Sequence, residues 1–444
     1  MREISTKNYL DDSLRPYSSQ SNIRGIPFLG DGFKESQRKA LWGIMSRGEN
    51  APEDTVERIA AAACAITDYR HGANSMEGTI SNMVQTFPGS NNLTFLAEEG
   101  QFGSRKSHLP SAARYLTTTL DKNFRRIFEK ADDLIFEQII SNNKPVEPKF
   151  FIPKIPLILI NGADGMGTGH STHILAYNPK DIKRDILKVL AGEELVRGSL
   201  VPWYNGYAGK ISRNITTKQV SIEGVFTLEK KGRNHILTIT ELPIGIQGDN
   251  YKKFLDGLEE KEIIVDYDNL SDKNGFEFVI KLPKEVAEKT EDDIKKLFKL
   301  VSRDTENLTV WNGDGKLYRY NHTEDLLMDW VVWRLDQYEV RLSALISKVK
   351  NDIAWANERY RWIQTYLNNV DFFKNSDDAT IFKFMADEKF KRPEDLLAMA
   401  MRSLTKERMA KLQAEVESLQ IQLSELQSTT SIDLMTKEIK EFKV

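Results

Sequence analysis

Residues 326–367 read LLMDWVVWRLDQYEVRLSALISKVKNDIAWANERYRWIQTYL, and the stretch through Asn368 reads as one long helix. A second helical stretch, LTKERMAKLQAEVESLQIQLSELQ, occupies 404–427. Within it Leu412, Val416, Leu419, Leu423 and Leu426 alternate spacings of four and three, the seam of a coiled coil. A short helical region lies between the two. The pattern predicts an antiparallel coiled coil carrying a compact helical tip.

Toward the N-terminus the texture changes. From about 153 to 322 strand-like runs dominate: IPLILING, HILTITELP, EIIVDYD and FEFVIKLP, with helices NPKDIKRDILKVLAG and NYKKFLDGLEEK between them. Residues 1 to about 152 mix the helical stretches GFKESQRKALWGIMSRG and TVERIAAAACAITDYRHG with the polar loops FPGSNN and EEGQFGSRKSH. A chain of 444 residues exceeds one ordinary core. The reading is a multidomain α+β protein divided at 1–152, 153–322 and 323–444.

Hydrophobic content is 40%, charged content 29% and the formal net charge −3, so any nucleic-acid surface must be local rather than chain-wide. The single cysteine, Cys64 in AAAACAI, reads as a small buried hydrophobe and excludes an internal disulfide framework. MREISTKNYLDD carries no apolar signal region, and no run approaches the ~18 apolar residues of a membrane span. A soluble, cytoplasmic protein is expected, with no membrane partner. Of six histidines only His170 and His173 form a close pair, and they lack further ligands, so no metal site is expected.

Four motifs carry possible chemistry. In DGFKESQRKAL, Lys34 and Arg38 share a helical face with Lys39 alongside, and Arg24 in NIRG precedes them. Such a face either solvates a helix or holds phosphates, as in a helix-turn-helix module. In DYRHGANSMEGT, His71 before Gly72 either caps a helix or donates to a phosphate oxygen that Thr79 also approaches. In IPLILINGADGMGTGHST a buried strand leads into a loop with glycines at 162, 165, 167 and 169. It fails as a dinucleotide fingerprint, because His170 stands at the third glycine, and as a Walker loop, because Lys-Ser/Thr is missing after Gly167. Met166 among those glycines is either a core plug or an apolar wedge for a base step. Asp266 and Asp268 in DYD read as a strand end, not a magnesium pair.

The fourth motif is SAARY at 111–115. A free tyrosine has a pKa near 10 and is a poor nucleophile at neutral pH. Arg114 beside Tyr115 supplies fixed charge for a phenolate and for charge developing on phosphorus. Basic helix, phosphate-facing histidine, wedge and Arg-Tyr pair together describe DNA cleavage by transesterification, in which a tyrosyl ester conserves the phosphodiester's energy.

In this order, NIRGIPFLGDGFKESQRKAL, YRHGANSMEGTI, QTFPGSNNLTFLAEEGQFGSR with SAARY, LINGADGMGTG, TITELP, GKLYRYNHTEDLLMDWVVWRLDQY and LTKERMAKL resemble the breakage–reunion region of type IIA DNA topoisomerases over nearly the whole chain. The resemblance implies a winged-helix cleavage domain (1–152), a mixed α/β tower domain with an intercalating loop (153–322), and a coiled coil ending in a helical dimerisation gate (323–444). It implies Tyr115 as nucleophile with Arg114, His71, Arg24 and Lys34 around the scissile phosphate. Arg38, Lys39, Thr79, Gln101, Ser104 and Met166 become further DNA contacts, Met166 standing where the family commonly has isoleucine. Arg70 replaces a frequent second histidine, and Glu35-Ser36 replaces Pro-Gly or Pro-Val.

No ATPase or TOPRIM region precedes Tyr115, so the chain resembles a split-gene subunit, most like the medium subunit of T-even-type phage enzymes. Magnesium and ATP are then expected on partner subunits, double-stranded DNA as substrate and a homodimer as the working form. In that gate Phe382, Phe384, Met399 and Met401 are the apolar residues expected to meet their two-fold mates. Two other readings compete: a tyrosine recombinase, against which stand the early tyrosine and the missing His-x-x-Arg, and a non-enzymatic dimeric coiled-coil DNA-binding protein.

Overall fold

The computed structural model describes residues 5–272, 275–400 and 404–443. The chain forms two compact units, one of residues 1–334 with 436–444, the other of residues 335–435.

The first unit begins with a helical N-terminus ending in the helix Arg15–Gly25. Three helices follow, Glu35–Met45, Val56–Ile66 and Ala73–Val84, and they pack on one another. The first two cross closely: a Cβ on Gly43 would stand 2.4 Å from that of Ala63. Thr55 caps the second, its Oγ1 accepting from the Arg58 amide. A short pairing of β1 (Asp54–Thr55) with β2 (Thr117–Thr118) ties the start of that helix to the segment after Tyr115. The hairpin of β3 (Gln138–Ser141) and β4 (Lys144–Pro148) closes this region. Phe33, Phe95, Phe124, Phe128 and Phe151 fill its core, mostly edge-on or tilted with ring centres 5.1–6.5 Å apart.

IPLILING is not a strand. Leu157–Ile160 is one buried helical turn, closed by the Asn161 amide donating to the Leu157 carbonyl. Four apolar residues are too few for periodicity to separate strand from helix. The glycine-rich stretch is instead a hairpin of β5 (Ala163–Gly167) and β6 (His170–Ile174). A helix Pro179–Leu190 follows, with Pro at its start and Asn178 as cap.

Beyond it β7 (Lys210–Arg213) and β8 (Gln219–Glu223) belong to a three-stranded sheet. Next, β9 (Val225–Lys231), β10 (Asn234–Glu241), β11 (Asp266–Asn269) and β12 (Phe278–Leu282) form an antiparallel sheet in the order β11-β12-β10-β9. The helix Gly248–Glu259 covers it over a core of Leu237, Ile239, Tyr251, Leu255, Phe278 and Ile280. DYD thus opens the edge strand β11 rather than ending one, and the Tyr267 hydroxyl donates to Asp256. Strand β13 (Val301–Thr305) completes the three-stranded sheet beside β8, and β14 (Leu308–Trp311) pairs with β15 (Leu317–Tyr320).

The long helix is Thr323–Asn368, 46 residues. Its first turns belong to the first unit: Trp330 Nε1 donates to the Gly30 carbonyl, and buried Arg334 pairs with buried Asp132 at 2.7 Å. Residues 436–443 return to that unit as well, with Ile439 and Phe442 buried and Lys183 donating to the Lys440 and Phe442 carbonyls.

In the second unit the helix Lys406–Ser428 runs antiparallel to the long one: Arg359 pairs with Glu415, while the earlier Glu339 meets the later Ser431. Leu412 and Val416 pack against Ala356 and Ile363, and Leu419, Leu423 and Leu426 lie half-buried on the same stripe. Short helices Val370–Asn375, Asp378–Asp387 and Pro393–Leu397 make the knot around Trp362, Met385 and Leu396. Phe384 packs on Phe372 and Phe373, and Met399 packs against the knot's core, each of them only partly buried. Phe382 is 41% exposed, and Met401 lies outside the described residues.

Candidate active site

Tyr115 closes a single 3₁₀ turn, Ala113–Tyr115, and its side chain is 73% exposed. The backbone beneath it is pinned. Leu116 is fully buried, and its carbonyl accepts from the Val56 amide at 2.9 Å. Thr117 and Glu99 exchange backbone hydrogen bonds of 3.0 and 3.3 Å, and Thr118 Oγ1 donates to the Ala97 carbonyl. Gly100 has φ +115°, and a Cβ there would press on the Tyr115 carbonyl at 3.1 Å. A rigid backbone therefore presents a solvent-facing phenol. The Arg114 guanidinium lies 5.8 Å from the ring centre, within cation–π range, and makes no ion pair among the described residues.

The approach loop is clamped from behind. The Gln85 side-chain amide donates to the Phe102 and His108 carbonyls that bracket the turn, at 2.7 and 3.0 Å. Arg105 reaches Glu241 at 2.9 Å and the Leu242 carbonyl at 2.6 Å. Gln101 is exposed and its carbonyl accepts from the Ser111 amide, whereas the Ser104 hydroxyl closes a local turn with the Ser107 amide. Sequence reasoning misses Gln85, Arg105 and Asn92, whose amide donates to the carbonyls of Ile160 and Trp203. Their partners lie 17 to 137 residues away, so local pattern holds no signal for them.

Met166 and Arg24 come together at a second place. Met166 is 85% exposed on β5, which rules out the core plug. Arg24 is exposed in the last turn of Arg15–Gly25, and that helix end packs directly on the hairpin backbone. Lys34 precedes the helix Glu35–Met45 and lines a groove of about 520 Å³ with Asn82, Gln85, Asp164, His173 and Asp304. Burial lowers its pKa, and the charge of Asp164 works against that shift.

Two expected contacts are corrected. Arg38 makes two hydrogen bonds to buried Asp31, at 2.7 and 3.1 Å, and a third to the Phe33 carbonyl. Lys39 is buried, 2.7 Å from Glu147 and 2.8 Å from the Thr67 carbonyl. Both cations are consumed inside the protein, Arg38 by Asp31 and Lys39 by Glu147, while Lys34 stays on the groove.

His71 is exposed beside Tyr69, ring centres 5.3 Å apart, and does not cap the following helix, where Gly72 at φ +87° holds the capping position. Thr79 is half-buried, and its Oγ1 donates to the Ser75 carbonyl in an exposed hydrogen bond. Cys64 is half-buried. No hydrogen bond, ion pair or ring contact joins Tyr115 to Arg24, Lys34, His71, Thr79 or Met166 among the described residues.

Residues 24–442 match the family model of the DNA gyrase/topoisomerase IV A-subunit. DNA topoisomerase 2 of Plasmodium falciparum is 36% identical over 375 residues, 83% of this chain and 26% of that protein. DNA topoisomerase 2 of Invertebrate iridescent virus 6 is 28% identical over 453 residues, 99% of this chain and 39% of that one. The crystal structure of the Plasmodium falciparum topoisomerase II DNA-binding, cleavage and re-ligation domain superposes with a TM-score of 0.90 at 32% identity, over 99% of this chain and 64% of that chain. The chain thus spans about a quarter to two fifths of the length of these two full-length relatives.

Proposed function

The chain belongs to the DNA gyrase/topoisomerase IV A-subunit family, and from that membership we propose that it is the breakage–reunion part of a type II DNA topoisomerase. The observation that carries the reading is the exposed phenol of Tyr115 on a pinned turn, with the Arg114 cation against its ring. Tyr115 Oη attacks a backbone phosphorus and its proton passes to solvent. The P–O3′ bond breaks and the leaving 3′ oxygen takes up a proton from solvent, leaving a 5′-phosphotyrosyl ester and a free 3′ hydroxyl. Attack by that hydroxyl reverses the step, so rejoining consumes no cofactor. Arg114 stabilises charge on the phosphoryl oxygens, while Arg24, Lys34, His71 and Thr79 hold neighbouring phosphates, Gln101 and Ser104 line the strand's path, and Met166 wedges a base step.

In this reading the three mutually packed helices and the β3–β4 hairpin are a winged helix, the four-stranded sheet belongs to the tower, and the antiparallel helices carry a dimer gate. Two chains supply one tyrosine per strand, matching the two-fold axis of duplex DNA. Magnesium and ATP are assigned to partner subunits carrying TOPRIM and ATPase domains, as in the split enzymes of T-even-type phages. Among the described residues no three His, Cys, Asp or Glu side chains converge as metal ligands, so these residues do not fit that ion. No described helix is long and apolar enough to cross a membrane.

The test mixes this chain with supercoiled plasmid and the partner carrying the TOPRIM and ATPase domains, then quenches with denaturant. Protein linked to both 5′ ends of a double-strand break is expected. Linkage to 3′ ends, or none, would overturn the reading.

A further inference from the structure

His173 lies on β6 opposite Asp164 on β5. Its Nδ1 meets the Asp164 carboxylate, and its Nε2 is 3.0 Å from Asp304 Oδ2 on β13. Only an imidazolium serves both partners. A neutral ring has one N–H, and its other nitrogen would turn a lone pair on a carboxylate. Nearby backbone already ties β6 down: His173 and Asn307 exchange hydrogen bonds of 2.9 and 2.8 Å, and the Asn307 side-chain amide donates to the Ser171 carbonyl at 2.7 Å. No backbone hydrogen bond joins β5 to β13 among the described residues, and the imidazole spans that gap. Asp164 is two residues from Met166 on the same strand.

We infer that charged His173 is a positioning residue for the Met166 hairpin, clamping Asp164 of β5 to Asp304 of β13 and so fixing where the wedge stands. Its importance for DNA rests on the wedge reading of Met166; the clamp itself does not.

Other charged and titratable groups face this cluster. Lys34 approaches Asp164 from the start of Glu35–Met45, and Arg303 lines the same groove. Tyr204 lies within reach of the charges of Asp304, Glu306 and Asp164, and its hydroxyl stays neutral because burial pushes its pKa up. Two adjacent carboxylates outweigh the more distant cations. The hydrogen bond to Asp164 is the largest cause, with Asp304 adding and burial opposing, and the imidazole is pushed up to about 9. The sign follows. A histidine whose pKa rises from 6.5 to about 9 on clamping contributes fully below pH 6.5, progressively less above it, and nothing beyond about 9.

Amide hydrogen exchange of residues 163–174 in the DNA-free full chain, expressed as protection relative to intrinsic rates, reads the clamp between pH 6 and 9.5. Wild-type protection should fall about ten-fold across that window, a figure discounted for an imidazole about a third exposed. His173→Lys, with a cation that does not titrate there, should stay flat. His173→Asn should be poorly protected throughout. Flat wild-type protection, or His173→Asn matching wild type at pH 6, overturns the proposal. DNA bending left unchanged by Met166→Ala would remove the wedge reading alone, and the exchange result would still decide the clamp.

Discussion

The Met166 carbonyl oxygen lies directly against Gly25: a Cβ added to that glycine would stand 2.0 Å from it. The approach is mutual. A Cβ on Gly165 would be 2.0 Å from the Gly25 carbonyl oxygen, and one on Gly167 would be 2.1 Å from Asn22 Oδ1. At Gly25 and Gly165 backbone meets backbone, and no flexible side chain can yield in its place. Gly25→Ala should therefore displace the hairpin at a cost of about 1–3 kcal/mol. Denaturant unfolding measures the cost, and energy-transfer measurement of DNA bending should show a loss larger than the loss of binding.

Met166→Ala should behave oppositely in stability. With the side chain 85% exposed, the change should cost well under ~1 kcal/mol, against ~2–5 for a core methionine. Bending and cleavage should fall while the melting temperature holds. A large drop in melting temperature with bending intact would return Met166 to a structural role.

Tyr115→Phe should keep DNA affinity and self-association and abolish covalent protein–DNA complex. The hydroxyl makes no hydrogen bond to the protein among the described residues, so its removal leaves no buried group unpaired. Any protein-linked DNA from the mutant would move the nucleophile elsewhere.

Arg24 and Lys39 should separate cleanly. Arg24→Ala, on an exposed cation, should change stability by ~0.5 kcal/mol or less and reduce the salt slope of DNA binding by about one. Lys39→Met strands the buried Glu147 carboxylate and should cost about 3–5 kcal/mol. Adding Glu147→Gln should recover much of that loss, and the salt slope of the double variant should match wild type.

Phe382→Glu should weaken self-association measured by sedimentation without lowering the melting temperature, since the side chain is 41% exposed on the knot. Truncation after Leu367 is a poorer test. It removes Ile439 and Phe442 from the core of the first unit, so a monomer would report unfolding as readily as a lost gate. A tight dimer of Phe382→Glu would place the contact elsewhere.

The long helix and its antiparallel partner are legible because their stabilising contacts repeat every three to four residues, so the seam from Leu412 to Leu426 is written in the chain itself. The Arg-Tyr pair is legible for the same reason, being adjacent in sequence. Leu157–Ile160 reads wrongly as a strand because a run of four buried residues has no period to show. The fates of the cations lie beyond any local pattern. Lys34, Arg38 and Lys39 look alike in KESQRK, yet Asp31 and Glu147 withdraw two of them, and Glu147 arrives from 108 residues away on β4. Whether a lysine faces solvent, a carboxylate or a groove depends on desolvation and on charges brought in from distant strands. Sequence alone determines the elements built on local periodicity and the chemistry of adjacent residues. Tertiary structure decides which charges remain free, and it sets Met166 outside the core on a strand whose glycines let it pack against a helix end.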